Sequence, residues 1–387
     1  MERPPRSTRA ELVTLTGAKV VSNTALRWVG PFLPTLERAF STSTGTLTSV
    51  MGVCELGGLS TVATGSALDR GQERRVFTLG LAAVAASSVV ALGGSVTTFA
   101  ISFAILVLGV SNLTVAGHAW IGHRVPFAAR GRAIGVFETS WAIALLVGAP
   151  ILAVLISTVG WRGPYVVLAV GSAIAAVAVG RWVSAGAPTR RDHTAPRPPL
   201  PRSAWAPMVA SAATAAAGLG IFVVSGAWLD DAHGLSTGGL GVVAAAFGVV
   251  ELVSSSSVAA FGDRIGARRS VLIGLVALGG GVATMLTSGD SRTLAIAGLL
   301  VFLTGFEYAF VSSLTLVTEA APLARGRAIG LSNAMGTIAR ASAVVLSGQL
   351  YEASGMTGSL LMASAAGGVA VVATITARTP DRHVTGS

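Results

Sequence analysis

Apolar runs long enough to cross a lipid bilayer follow one another almost without pause in this 387-residue chain, near 12–36, 45–67, 76–96, 98–122, 133–157, 163–183, 205–229, 238–260, 270–288, 293–317, 328–350 and 356–377. A hydrocarbon core about 30 Å thick takes roughly 20 residues of helix at about 1.5 Å each. Composition agrees: 52% of the residues are hydrophobic, only 11% are charged, and mean hydropathy is +0.71. A soluble domain carries about a quarter charged residues to make its surface. The expected architecture is therefore all-α and polytopic, with twelve transmembrane helices.

A net charge of +10 raises the question of nucleic acid, and the placement of the basic residues answers it. Of the 27 Lys and Arg, only Arg38, Arg162 and Arg292 fall in odd-numbered loops, and Lys19, Arg27 and Arg340 fall inside segments. The others lie in the terminal regions and the even-numbered loops. Such asymmetry follows the positive-inside rule, so both termini and the even loops are expected on the cytoplasmic side of a multi-pass cell-membrane protein. Basicity then records topology, and nucleic acid is not an expected partner.

Cys54 is the single cysteine, which excludes an intrachain disulfide and any Cys-based zinc cluster. No second ligand stands at metal-binding spacing from His118 or His123, and no G-x-x-x-x-G-K-[ST] phosphate loop occurs. Neither a metal nor a cofactor is expected. The first segment is too long for a signal-peptide core and contains Lys19 and Arg27, so it reads as a retained helix.

The chain is also doubled. ARGRAIG at 129–135 returns at 324–330, STGTL at 43–47 returns as STGGL at 236–240, and GSALDRGQERR at 65–75 returns as AAFGDRIGARR at 259–269. Residues 1–183 read as one six-helix bundle and 205–387 as a second. Between them, 184–204 is rich in Pro and Arg and reads as a solvated cytoplasmic linker.

With D-R-G-x-x-R-R at 69–75 in loop 2–3 and D-R-x-G-x-R-R at 263–269 in loop 8–9, and Gly160, Trp161 and Arg162 in a G-W-R turn after the fifth segment, the chain resembles the major facilitator superfamily over about 12–377. The resemblance implies two pseudo-symmetric six-helix bundles. Segments 1, 4, 7 and 10 would line a central cavity, 2, 5, 8 and 11 would form the interface between halves, and 3, 6, 9 and 12 would face lipid. It matches the drug–proton antiporters of the family less closely. Their helix 4 arginine would fall at Ala104, and their helix 5 pattern G-P-x-x-G-G is half met by Gly148, Ala149 and Pro150, with Leu152 where a glycine would stand.

An arginine pair just ahead of a helix is electrostatically awkward, since a helix N-terminus prefers an anion. The resemblance implies an answer from the opposite half. Asp69, with Arg70 and Arg74, would approach Arg325 and Arg327, and Asp263, with Arg264, would approach Arg130 and Arg132. This expectation is a conformational latch, closed in one state of a transport cycle. The alternative is that these charges only anchor the topology.

Charges at membrane depth are costly, so their positions are informative. Segments 3, 6, 7, 9 and 12 carry none in their interiors, whereas Lys19, Arg27, Glu55, His118, Glu138, Glu251, Glu307 and Arg340 sit in the others. Lys19, Asn23 and Arg27 are spaced by four and share one stripe of the first helix. Gly30, Pro31 and Pro34 follow and are placed to bend its outer end. Asn112 and Glu307 are equivalent under the 195-residue offset and, with neighbouring Tyr308, are binding candidates. Glu55 and Arg340 lie at similar depth and are placed to pair if their helices touch. Glu138 and Glu251 are placed to share a proton. His118 reads as a hydrogen-bonded packing residue before a relay.

These features favour a secondary transporter working by alternating access, exporting a small amphipathic metabolite or drug, with protons as the coupling ion considered. Uptake of a small anion through Arg27 and Arg340 is the alternative within that class, and a membrane sensor or lipid-handling protein is the alternative outside it. An enzyme lacks a nucleophile–base constellation at one depth. Expected partners are a small-molecule substrate and the bilayer, with the chain acting as a monomer.

Overall fold

In the computed structural model, residues 6–186 and 199–377 are described, and all of the regular structure among them is helical. Residues 1–5, 187–198 and 378–387, with most of the linker and Arg3, Arg190, Arg191, Arg197, Arg378 and Arg382, lie outside the described residues. The helices are α1 (Arg6–Arg27), α2 (Leu33–Phe40), α3 (Thr44–Glu55), α4 (Thr61–Asp69), α5 (Glu73–Ala91), α6 (Val96–Arg124), α7 (Phe127–Ile143), α8 (Ala149–Val159), α9 (Arg162–Trp182), α10 (Trp205–Asp231), α11 (Thr237–Ile265), α12 (Ala267–Leu286), α13 (Arg292–Ala320), α14 (Arg325–Ser354) and α15 (Met356–Thr376). Eleven stretches are long and apolar enough to cross a membrane. The remaining segment of the sequence reading, the first, formed by α1 and α2, is set apart by its charges and by a break.

Three expected spans are interrupted. The first breaks at 28–32, where Gly30 and Pro31 stand. The second passes through a 3-10 turn, Leu56–Ser60, containing Gly57 and Gly58. The fifth widens into a π turn, Ala144–Gly148, just ahead of Pro150. Proline has no N–H to give the preceding turn and its ring crowds the carbonyl there, and a π turn re-seats those groups inside a membrane helix. In the second half, 195 residues on, the breakers are replaced by Ser225 and Gly226, Leu252 and Val253, and Val345, and α10, α11 and α14 run through without interruption. A second difference concerns ARGRAIG. Arg130 and Arg132 lie within the opening turns of α7, and Arg325 and Arg327 open α14, so they are not loop residues ahead of a helix.

The doubling extends to the backbone. Among the described residues, those with positive φ form repeat pairs: Gly71 and Gly266, Gly94 and Gly289, Gly160 and Gly355, and Ser41 with Gly234. Left-handed backbone is costly for a residue with a Cβ, so these turns are written in glycine everywhere except Ser41. Helix starts repeat as well. Ser43 accepts a hydrogen bond from Thr46 N (3.3 Å) and Ser236 one from Gly239 N (3.3 Å), which makes STGTL and STGGL a repeated N-cap. Ser95 caps α6 in a capping box with Thr98, and Ser291 caps α13 through Leu294 N (3.4 Å).

Packing follows the same plan. α5 and α6 approach so closely that a Cβ on Gly80 would stand 2.8 Å from Gly109 O, and one on Gly109 would stand 2.7 Å from Gly80 O. In the second half α12 and α13 meet at Gly274 and Gly305, where added Cβ atoms would stand 2.7 and 2.5 Å from the facing carbonyl oxygens. Water gives membrane helices little drive to associate, so close backbone approach through small residues holds them together.

Two compact units emerge, Met1–His193 with Gly234–Val249, and Thr194–His233 with Val250–Ser387. In the first, α1 packs against α5, α6, α7 and α9. In the second, α10, the repeat mate of α1, packs against α13, α14 and α15 and is mostly buried. The outward stripe of α9 is apolar, with Val166, Val170, Ile174 and Val177 exposed, as are Leu361, Val369 and Val372 on α15. Helices with charge-free middles and exposed apolar faces suit contact with lipid tails.

Candidate functional site: a buried cation–carboxylate network

The polar stripe expected on the first helix is present and is dry: Lys19, Ser22, Asn23 and Thr24 are all buried. Buried polar groups must find partners within the unit. Lys19, Asn23 and Arg27 find them on α7, whereas the Ser22 and Thr24 hydroxyls donate to Lys19 O and Val20 O of their own helix. Lys19 Nζ donates to Glu138 Oε1 at 2.7 Å and lies 4.1 Å from the centre of the Phe137 ring and 5.7 Å from that of Trp141. Asn23 Nδ2 donates to Ser140 Oγ (3.1 Å), which in turn donates to Phe137 O (2.7 Å). Arg27 Nη1 donates to Trp141 O (2.9 Å), with its guanidinium 5.4 Å from the Trp141 ring centre.

His118 of α6 completes the group. Its Nε2 lies 2.7 Å from the same Glu138 Oε1 that takes Lys19, and its ring stands edge-on to Phe137 at 5.5 Å. The side chain of Lys19 is 0% exposed, that of Glu138 34% and that of His118 41%. The network thus has a sealed end and an open end. A buried ammonium is tolerable when a carboxylate and aromatic faces surround it. Among the described residues Glu138 Oε2 accepts no hydrogen bond, which leaves one carboxylate oxygen open beside the imidazole.

The π turn holds this arrangement. It begins three residues after Trp141 and brings Gly148 against α1, where a Cβ would stand 2.6 Å from Thr24 Oγ1 and Cγ2. The network belongs to the first half alone, since the positions 195 residues after Lys19, His118 and Glu138 hold Thr214, Ser313 and Asn333.

Asn112 and Glu307 prove equivalent in structure as in sequence. Asn112 Nδ2 donates to Ser60 Oγ (3.0 Å) and Leu108 O (2.8 Å), and Thr64 Oγ1 bonds its Oδ1. Glu307 Oε1 accepts from Ser255 Oγ (3.1 Å). Ser60 and Ser255 are themselves 195 apart, so each half ties its fourth segment to its second by one repeated polar pair. Tyr308 is half-buried beside Glu307.

Glu55 closes α3 at the 3-10 turn in the first unit, whereas Arg340 Nη2 donates to Thr337 Oγ1 (3.3 Å) in the second. Glu138 belongs to the first unit and Glu251 to the second. Among the loop charges, Arg130 Nε bonds Val125 O (2.9 Å) and Arg74 Nη1 bonds Val183 O (3.4 Å), each within its own unit. Asp69 ends α4 half-buried beside the exposed Arg70. Asp263 and Arg264, in the last turn of α11, are exposed, as are Arg132, Arg325 and Arg327. No group of three metal-ligating side chains occurs among the described residues.

Sequence reasoning placed Asn23, Arg27 and Glu138 among the site candidates, read Lys19 only as a member of their stripe and His118 as a packing residue, and left out Trp141. A signal was available for Lys19: it is the single lysine of the chain, on the same stripe as Asn23 and Arg27. None was available for its partner, 119 residues away on another helix.

An all-helical, multi-pass membrane protein of transporter fold, made of a doubled six-segment unit, is the class these features define. The chain matches the Major Facilitator Superfamily over residues 15–212 and again over 208–387, and it belongs to that family. An uncharacterized MFS-type transporter of Bacillus subtilis (strain 168), YwfA, is 27% identical over 138 residues, 35% of this chain, and the match spans about a third (33%) of that relative's length. Among solved structures, a bacterial homolog of the human lysosomal transporter Spinster superposes with a TM-score of 0.76 at 15% identity, covering 97% of this chain and 96% of its own. A D-xylose–proton symporter follows at 0.74 and 14% identity, covering 95% and 96%. The nucleoside transporter NupG reaches 0.70 at 14% identity, covering 94% and 98%. At such identities the likeness is one of fold.

Proposed function

We propose that this protein is a secondary active transporter working by alternating access, that it exports a small amphipathic metabolite or drug, and that protons loaded at His118, against the carboxylate of Glu138, drive it. The observation that carries this reading is the sharing of one carboxylate oxygen by a sealed ammonium and an open imidazole. Gain or loss of a proton at His118 changes how much of Glu138 is left to Lys19, and thereby the hold of α7 on α1. A group that reaches water on one side and a fixed counter-charge on the other is suited to convert protonation into helix movement. Proton coupling is named for one of the fold neighbours, the D-xylose–proton symporter.

In this reading the chain acts as a monomer in the cell membrane with both termini in the cytoplasm, as the arginine distribution supports. A second reading, uptake of a small anion, draws on the two cations of the α1–α7 seam, Lys19 at the Glu138 carboxylate and Arg27 at the Trp141 carbonyl. Liposomes containing the purified protein, given an imposed pH gradient and a panel of amphipathic amines and carboxylates, separate the two. Proton flux elicited by an amine and abolished in Glu138→Gln is the expected result. Uptake of a carboxylate that persists in that variant would replace export with the anion reading, and no flux with any compound would remove both.

A further inference from the structure

We infer that the loop that opens on Asp-Arg and closes on an arginine pair in each half, 69–75 and 263–269, does a second job within its own half: the first arginine of its closing pair, Arg74 or Arg268, caps the far end of that half's sixth segment and fixes where the chain leaves the unit.

The last carbonyls of a helix have no partner along the helix and carry its partial negative charge, so a cation with N–H donors there satisfies both needs. Arg74 Nη1 donates to Val183 O (3.4 Å), and Val183 is the C-cap of α9. Arg268 Nη2 donates to Ile375 O (2.5 Å), in the last turn of α15. The two arginines occupy matching places in GSALDRGQERR and AAFGDRIGARR. A positive-φ glycine precedes each helix, Gly71 one residue before the N-cap of α5 and Gly266 as the N-cap of α12, at φ 73° and 86°. Two halves that differ at most other positions have kept the same reach from loop to helix end.

In the first half the cap widens into a strap over 183–186. Arg124 Nη2 donates to Ser184 O (3.1 Å) and Ala185 O (2.5 Å), and its Nη1 bonds Ser184 Oγ. Glu11 of α1 accepts from Ser184 N (3.3 Å) and Ser184 Oγ (2.9 Å). Gly186 lies so close over Gly71 O and the buried Glu73 carboxyl that no side chain fits, and Glu73 is in turn bonded to His123. Residues drawn from α1, the signature loop and the end of α6 thus hold the first step of the linker. Chain leaving α9 is fastened as far as Gly186 and does not swing freely from Trp182.

Hydrogen–deuterium exchange of the full chain in detergent micelles tests this without reference to transport. Arg74→Gln is expected to speed exchange at 179–186 roughly five- to ten-fold and to leave 370–376 unchanged, while Arg268→Gln does the converse. Arg74→Lys keeps the charge with a single donor group and should fall between, and Arg124→Gln should loosen 184–186 alone. Unchanged exchange at both helix ends in the Gln variants, or a uniform loosening of the whole half in either, would overturn the assignment.

Discussion

Lys19 shows how one side chain sets the terms for its neighbours. An ammonium with no exposed surface has to be answered inside the unit, and Glu138 answers it with the oxygen it also shares with His118. Removing one partner of a buried pair strands the other charge, which costs about 3 kcal/mol or more. Glu138→Gln should therefore destabilise the protein by about that amount, seen as a fall in the thermal unfolding midpoint in detergent. Lys19→Met should cost less, because Glu138 lies at the open end and can be hydrated. The double variant should recover most of the loss, and simple addition of the two single effects would show that the pair is not coupled. From sequence, the stripe of Lys19, Asn23 and Arg27 was legible because helical spacing fixes a face. Its partners were not, since a periodicity says which residues share a side of a helix and nothing about which other helix comes to lie there.

Helix breaks carry the argument at the next scale. Gly30 and Pro31 end α1 where a bend was expected, but the 3-10 turn at Leu56–Ser60 and the π turn at Ala144–Gly148 interrupt segments that read as continuous. Hydropathy is blind to such turns, because they change backbone bonding and not the apolar length of the span. Their composition was visible all the same: Gly57 with Gly58, and Pro150, all three absent from the equivalent positions of the second half. Gly148 lets the π turn touch α1, and the space is filled by Thr24. Gly148→Ala should cost about 1–3 kcal/mol through overpacking. Thr24→Ala in the same chain should recover part of it, and the check is the unfolding midpoint of the single and double variants. No recovery would mean that the strain lies in the π turn and not in the contact with Thr24.

Over the whole molecule, duplication accounts for the turns, caps, glycine contacts and the repeated Asn112–Ser60 and Glu307–Ser255 pairs, while the Lys19–Glu138–His118 network belongs to one copy. Repeat pairs of positive-φ residues and of N-cap serines show two halves built to one backbone plan. Among the described residues, interrupted helices and the Lys19–Glu138–His118 network occur in the first half and not in the second, so the two halves should differ in local stability. Amide exchange in the intact protein should be faster at 28–32, 56–60 and 144–148 than at 223–227, 251–255 and 339–343, since amides without a regular helical partner open more readily. Equal protection across these pairs would mean that the breaks are as rigid as the helices around them. The number of spans, their doubling and the placing of the tight turns were written in the amino-acid order, because bilayer thickness dictates apolar length and backbone sterics dictate glycine. Which acid meets Lys19, which helix ends the signature arginines reach, and which half holds the open carboxylate were decided only when the helices packed. Those outcomes depend on contacts between residues about a hundred or more positions apart, and no local pattern encodes them.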